Sequence, residues 1–391
     1  MKMLCKVLGR AGLATLTFAM APMLALAQAK PPILIGVSVA LSGPVAYVGE
    51  AVRQGLDLQV DAANAAGGVL GRPVKLIYRD NENVPDKAVT NVREMIERDG
   101  VVAIVGESSS GTALAAGPII GAANLPWVIS VATNTSITQR PENTTALRVS
   151  PYDGLQTPYT INTVLKNFKK IALLTDTTAS GQGAHDTLKK LLKAGGVDPV
   201  ADETYKQAEP NLTAQLARIR DSGADVIVLG GGVGADMAQI RRNMRTMNFE
   251  LPTIASWGGE TTAFIRLAGK YSEGTVIVSV DPLTKAATPP TQVYRAAFEK
   301  KYGMAKMEYP SAVATSYDAM GLLLAAIRQA GTTDKEKLNA ALKSVSYEGV
   351  IKSYQKPFAG ANREALTMTD LHLVIIKEGK FQPYQIGQTS K

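Results

Sequence analysis

The chain has 391 residues, of which 46% are hydrophobic, 19% charged and 6% aromatic, and its formal charge is +8. These values describe a globular protein long enough to bury two domain cores, and they exclude disordered and collagen-like chains. The basic residues are scattered without a dense run, which argues against a nucleic-acid binder. With only His185 and His372 and no Cys-x-x-Cys, no metal or cofactor site is expected.

The N-terminus reads as an export signal. Lys2, Lys6 and Arg10 precede an apolar stretch from Ala11 to Leu26, and Ala25-Leu26-Ala27 fits a small-residue cleavage site. Residues 1–27 are therefore expected to be a signal peptide removed after Ala27, placing the mature chain in the periplasm. Removing its three positive charges leaves +5. The one cysteine, Cys5, goes with it, so neither disulfides nor thiol chemistry is expected.

Short apolar runs then alternate with helical periodicity, the pattern of an α/β protein with parallel sheets. In chain order, strands are expected at Ile33–Val39, Val74–Arg79, Val101–Val105, Trp127–Ser130, Ile171–Thr175, Val226–Leu229, Thr253–Ser256 and Thr275–Ser279. Between them fall helices at Val48–Asn64, Asp86–Asp99, Ala184–Ala194, Leu212–Ser222 and Asp236–Met247. Pro85-Asp86 is a start signal and Asp99-Gly100 a stop. An internal repeat is also legible: DGVVAIVGESSSG in the first half stands where SGADVIVLGGGVG stands in the second. Two βαβαβ halves predict two lobes with a ligand cleft at the carboxyl ends of their strands.

The segment GESSSGTALAAG (Gly106–Gly117) follows a strand and opens a helix. Four residues separate Gly106 from Gly111, one too many for a Gly-x-Ser-x-Gly nucleophile elbow, and no histidine stands nearby as a base. No Gly-Lys-Ser/Thr phosphate loop occurs. Gly230, Gly232 and Ala235, with Glu250 beyond, match a dinucleotide fingerprint, but they lie two βα units into the second half rather than opening it. The chain is therefore not read as an enzyme. Ser108–Ser110 suit a helix cap. A capped N-terminus with spare N–H groups and hydroxyls can also bind a carboxylate without a cation. ISVATNTSIT repeats the device with Ser130, Thr133 and Thr135.

Several motifs occur in an order that resembles the leucine/isoleucine/valine-type periplasmic binding proteins of ABC transporters. They are Leu-Ser-Gly-Pro (Leu41–Pro44), Asn-x-x-Gly-Gly (Asn64–Gly68) and an Asp-rich segment before Pro85-x-x-Ala88, followed by AIVGESSSGTALAA, LTDTTASGQGA and LAGKYSEGTVIVS. The likeness runs from Pro31 to Gln385. It implies a type I periplasmic-binding fold: two lobes, each a parallel sheet flanked by helices, joined by three crossings. These should fall near Arg148–Tyr152, Val280–Pro282 and Gly349–Lys352. Lobe one is then 31–149 plus 281–350, and lobe two 150–280 plus 351–391.

The resemblance also implies a carboxylate clamp at Ser110, Ser130, Ala132 and Thr133. Where amino-acid binders of this family carry a cleft tyrosine, this chain has Ser180. Where they carry an acid for the α-ammonium, it has Trp257, with Glu260 three residues on. An ammonium buried without a carboxylate partner is costly, whereas an indole suits a flat ligand. The expected function is delivery of a small carboxylate, an aromatic or 2-oxo acid, to an inner-membrane ABC permease by a monomeric protein. Tyr47, Tyr152 and Trp257 would wall the cleft, and Ser180, Gly232 and Asp236 would approach from lobe two. The alternatives are a branched-chain amino-acid binder using Glu260, and a ligand-sensing ectodomain.

Overall fold

A computed structural model describes residues 30–385, so the expected signal segment and its cleavage site lie outside the described residues. The first half of the chain runs β1 (Ile33–Val39), α1 (Ala46–Ala65), β2 (Val74–Asp80), α2 (Pro85–Glu94), β3 (Ala103–Val105), α3 (Ser110–Ala122), β4 (Trp127–Ile129), α4 (Ser136–Gln139) and β5 (Ala146–Arg148). All five strands are parallel, in the order β2-β1-β3-β4-β5. β1 is buried along almost its whole length, as a strand covered on both faces must be, and this is why it reads as an unbroken apolar run. The helix expected at Asp86–Asp99 is α2 followed by a wider π turn, Met95–Asp99, closed by Gly100 at a left-handed φ of 66°.

The second half continues with α5 (Asp153–Thr163), β6 (Ile171–Asp176), α6 (Ala179–Ala194), β7 (Ala201–Tyr205), α7 (Thr213–Asp221), β8 (Val226–Gly230), α8 (Gly234–Thr246), β9 (Thr253–Ala255), α9 (Thr262–Ala268) and β10 (Val276–Ser279). Here the order β7-β6-β8-β9-β10 repeats that of the first sheet. In both sheets the winding direction reverses between the first and third strands. Ligands of open parallel sheets bind in the crevice outside such switch points. The β1/β3 and β6/β8 ends are therefore where a site should be sought.

After β10 the chain returns to lobe one with α10 (Pro289–Tyr302), α11 (Pro310–Ala330) and α12 (Lys335–Leu342). α11 packs along α1 so closely that a Cβ on Gly55 would collide with the Val313 carbonyl. The β11 (Ser346–Glu348) and β12 (Ser353–Gln355) hairpin follows, then β13 (His372–Lys377) and β14 (Lys380–Tyr384), which add antiparallel to β10.

The first two crossings leave β5 at Arg148 and β10 at Ser279. The third is later than Gly349–Lys352. Asp318 of α11 accepts the N–H groups of Val350 (2.8 Å) and Ile351 (3.0 Å) and the Tyr354 hydroxyl (3.0 Å), which pins the hairpin to lobe one. Glu364 then lies beside Arg148 at the edge of the first sheet, with the Ala365 N–H donating to the Arg148 carbonyl at 2.8 Å. The chain passes to lobe two only between Ala365 and His372. Residues 351–365, expected in lobe two, stay with lobe one.

Candidate functional site

Between the lobes, at both switch points, lies a cavity of about 450 Å³. Its lobe-one floor is the start of α3. Ser109 is the N-cap, its Oγ accepting from the Thr112 N–H at 3.4 Å and lying 3.0 Å from Thr112 Oγ1. The neighbouring serines tie adjacent loops to this point: Ser108 Oγ accepts from Ala40 N–H at 3.2 Å, and Ser110 Oγ from Asn134 N–H at 3.2 Å. Ser108, Ser109, Ser110 and Gly111 all line the cavity. The first-turn N–H groups of a helix have no intrahelical acceptor, so this floor is a cluster of donors at the positive end of a helix dipole. Behind it, Glu107 is buried with Oε2 accepting from the Asn81 amide at 2.6 Å, and burial pushes its carboxyl up to about 7.

Val131, Ala132 and Thr133, after β4, form the adjoining edge. Here the lobes touch. Thr133 Oγ1 is 3.2 Å from Ser180 Oγ, and the Asn134 amide donates to the Ala179 carbonyl at 2.7 Å. From lobe two come Asp176 at the end of β6, Ser180 in α6, and Gly231 and Gly232 after β8. Asp176 organises this side. Its Oδ1 accepts from Thr178 N–H at 2.7 Å and its Oδ2 from Gly232 N–H. Gly231 and Gly232 have φ of 67° and 72°, the left-handed backbone that lets the turn come this close.

The apolar wall is Val45, Val48, Pro85, Val233, Trp257 and Tyr309. The Trp257 ring packs on Tyr309 with centroids 5.3 Å apart and planes tilted by 53°. The Trp257 backbone N–H donates to Gln156 Oε1 at 3.3 Å.

Of the residues expected from sequence, Ser110, Ala132, Thr133, Ser180, Gly232 and Trp257 line this one cavity. Five do not. Ser130 is buried and accepts from the Ser316 hydroxyl at 3.0 Å inside lobe one. Tyr47 is half-buried, packed against the edge of lobe one's core with its hydroxyl beside Gly234 of lobe two, and Tyr152 lies under the Arg148 guanidinium, 5.0 Å from its ring centroid. Asp236 accepts from Ala208 N–H at 2.9 Å and so holds the loop carrying Gln207, which does reach the cavity. Glu260 is fully buried and accepts from the Ser279 and Ser311 hydroxyls.

Two lining carboxylates were missed from sequence, Asp153 and Asp176. Asp176 had a readable signal, an acid at the carboxyl end of a switch-point strand in LTDTT. Asp153 opens α5 just past a crossing, where an acid reads simply as a favourable first-turn residue. Burial raises the Asp153 carboxyl to about 6 against the opposing pull of Arg148. Its Oδ1 accepts from the Gln156 amide at 3.1 Å, and its Oδ2 is buried with no partner. Among the described residues that line the cavity, none is Lys, Arg or His.

Comparison with known proteins agrees with this architecture. The family model described as periplasmic binding protein matches residues 32–379. A curated relative from Rhizobium johnstonii named Leu/Ile/Val-binding protein BraC3 is 29% identical, over 85% of this chain and 89% of its own length. The crystal structure of a type 1 periplasmic binding protein from Bordetella pertussis superposes with a TM-score of 0.84 at 26% identity, covering 91% of this chain and all of that one. A solute-binding protein from R. palustris solved with 4-hydroxybenzoate has a TM-score of 0.76 at 22% identity, covering 91% of this chain and 96% of that one.

Proposed function

The chain belongs to the periplasmic binding protein family, and from that premise we propose that it delivers a small aromatic or 2-oxo carboxylate to an inner-membrane ABC permease. One observation carries this reading: the cavity pairs a cation-free cluster of hydroxyl and N–H donors with a Trp257–Tyr309 wall. The donors suit a carboxylate, and the wall suits a flat or apolar body. Glu260, the acid that would have received an α-ammonium, is spent on two serines away from the cavity. Asp176 is likewise engaged by two backbone N–H groups.

A second reading rests on Asp153. Its buried Oδ2 has no partner in the protein, and a small rotation would present it to an ammonium, making the ligand an α-amino acid. The relative named a Leu/Ile/Val-binding protein fits this alternative.

Calorimetry with matched pairs separates them: phenylpyruvate against phenylalanine, and 4-methyl-2-oxopentanoate against leucine. Each pair differs only by keto group and ammonium. The proposed function expects the keto acids to bind more tightly, and Trp257→Ala to weaken phenylpyruvate by about 1–3 kcal/mol through lost burial. Tight leucine binding that Asp153→Asn abolishes and Trp257→Ala spares would install the second reading.

A further inference from the structure

We propose that Glu260 is the positioning residue of the cleft. Its buried carboxyl ties together the turn that carries Trp257, the second crossing and the start of α11, so the tryptophan's place in the wall depends on how the lobes meet. The inference rests on the reading of this cavity as the ligand site, and it assigns Glu260 a role other than touching ligand.

Trp257 to Gly259 form a single 3-10 turn that ends at Glu260, whose N–H donates to the Trp257 carbonyl at 3.0 Å. A shift of Glu260 therefore moves Trp257. The Glu260 carboxyl is fully buried and reaches two other segments. Oε1 accepts from Ser279 Oγ at 2.7 Å, and Oε2 accepts from Ser311 Oγ. Both serines also hold the crossing itself: Ser279 Oγ accepts from Asp281 N–H at 2.9 Å, and Ser311 Oγ from Val280 N–H at 3.2 Å. Ser311 lies two residues beyond Tyr309, the ring on which Trp257 rests. One short lobe-one segment thus supplies both the stacking partner and the anchor. The Thr262 N–H, donating to the Glu308 carbonyl at 2.9 Å, closes the same junction from the other side.

The chemistry calls for a carboxyl here. Two serine hydroxyls donate to its two oxygens. Either oxygen of an acid can accept, even the one that carries a proton, whereas the NH₂ nitrogen of a glutamine cannot, so one buried hydroxyl would lose its acceptor. The groups facing Glu260 are Asp281 from the crossing and Tyr309 from lobe one. Around Asp281 stand Lys285 and Tyr294, and Thr284 links onward to His372 Nε2 at 2.7 Å. Burial first, then Asp281, holds Glu260 well above the usual carboxylate range, while burial brings Asp281 to about 6. A proton entering or leaving this pair changes the junction that sets Trp257.

The test uses intrinsic fluorescence. The chain has two tryptophans, so Trp127→Phe leaves Trp257 as the only indole. In that background the ligand-free emission of Trp257 reports the position of the indole in the wall. Glu260→Gln should shift the emission maximum and weaken phenylpyruvate binding about tenfold, consistent with one lost hydrogen bond. Ser311→Ala keeps the acid but removes its lobe-one anchor, and should reproduce both effects even if Glu260→Gln fails to fold. An unchanged emission maximum and unchanged affinity in the Ser311→Ala protein would overturn the inference. A shifted emission maximum with no phenylpyruvate binding in any variant would support Glu260 as positioning residue while overturning the aromatic or 2-oxo reading.

Discussion

Gly183 offers a way to hold the cleft open without touching ligand. It lies in α6, and a Cβ placed there would sit 2.6 Å from Asn134 Nδ2 and 2.9 Å from Asn134 Cγ, across the cleft. Asn134 cannot swing aside cheaply. Its Nδ2 donates to the Ala179 carbonyl at 2.7 Å, and its Oδ1 accepts from Ser136 N–H at 3.0 Å. The same Cβ would lie 2.9 Å from Asp153 Oδ2, a contact within lobe two that is present whether the cleft is open or closed. Overpacking of this kind costs about 1–3 kcal/mol, and the Asn134 part falls on the closed state alone. Gly183→Ala should therefore weaken ligand binding by about 5- to 150-fold. In a helix interior, Gly→Ala contributes about 0.5–1 kcal/mol of stability, which offsets the Asp153 contact. The two effects have opposite signs. Calorimetry should show lost affinity, while thermal unfolding without ligand is unchanged or raised. Undiminished affinity would refute the argument that closure brings Gly183 against Asn134.

Replacing Ser110 and Thr133 together by alanine should weaken binding of a carboxylate strongly and leave folding nearly intact, since each hydrogen bond to a charged group contributes about 1.5–3 kcal/mol. Unchanged affinity by calorimetry would place the acid group elsewhere. Asp236 gives a pH prediction. Burial raises its carboxyl from 3.8 to about 6, so the folded protein binds more protons than the unfolded chain between those values. Its contribution is therefore most favourable at low pH and is lost as pH rises from about 4 to 6. Asp236→Asn keeps an oxygen to accept from Ala208 N–H and should flatten that part of the stability profile, by on the order of 3 kcal/mol in chemical denaturation. An unaltered slope between pH 4 and 6 would count against the buried carboxyl as its source.

The parts of the fold legible in sequence are those where burial is two-sided. β1, β6 and β8 are covered on both faces, so their apolar runs stand out between turn signals. β7, Ala201–Tyr205, is an edge strand with an alternating exposed face, and its Asp202 and Glu203 hid it. β5 is three residues long and ends in a buried arginine, a composition that does not read as strand. The third crossing was misplaced because Asp318 and Arg148 hold the hairpin and its sequel to lobe one through contacts more than 30 residues apart, which no local pattern reports. The site divides in the same way. Ser110, Thr133 and Gly232 follow strand ends and were readable from helix-start and glycine signals. Tyr309 stands next to Pro310 at the start of a long buried helix, and only the packing of α11 against the Trp257 turn brings it to the cavity.

Among the described residues, the lack of any lysine, arginine or histidine in the cavity wall bears on how a cargo leaves it. Attraction between full charges falls off slowly with distance, and a guanidinium would still pull on an anion several ångströms away. Hydrogen bonds and the end of a helix dipole act only at contact and across a single turn. If the ligand is the proposed carboxylate, a cleft built from such short-range donors grips it while the lobes are together and releases nearly all of that hold over the first few ångströms of opening. For a shuttle that must surrender what it carries, the range of the forces matters as much as their strength.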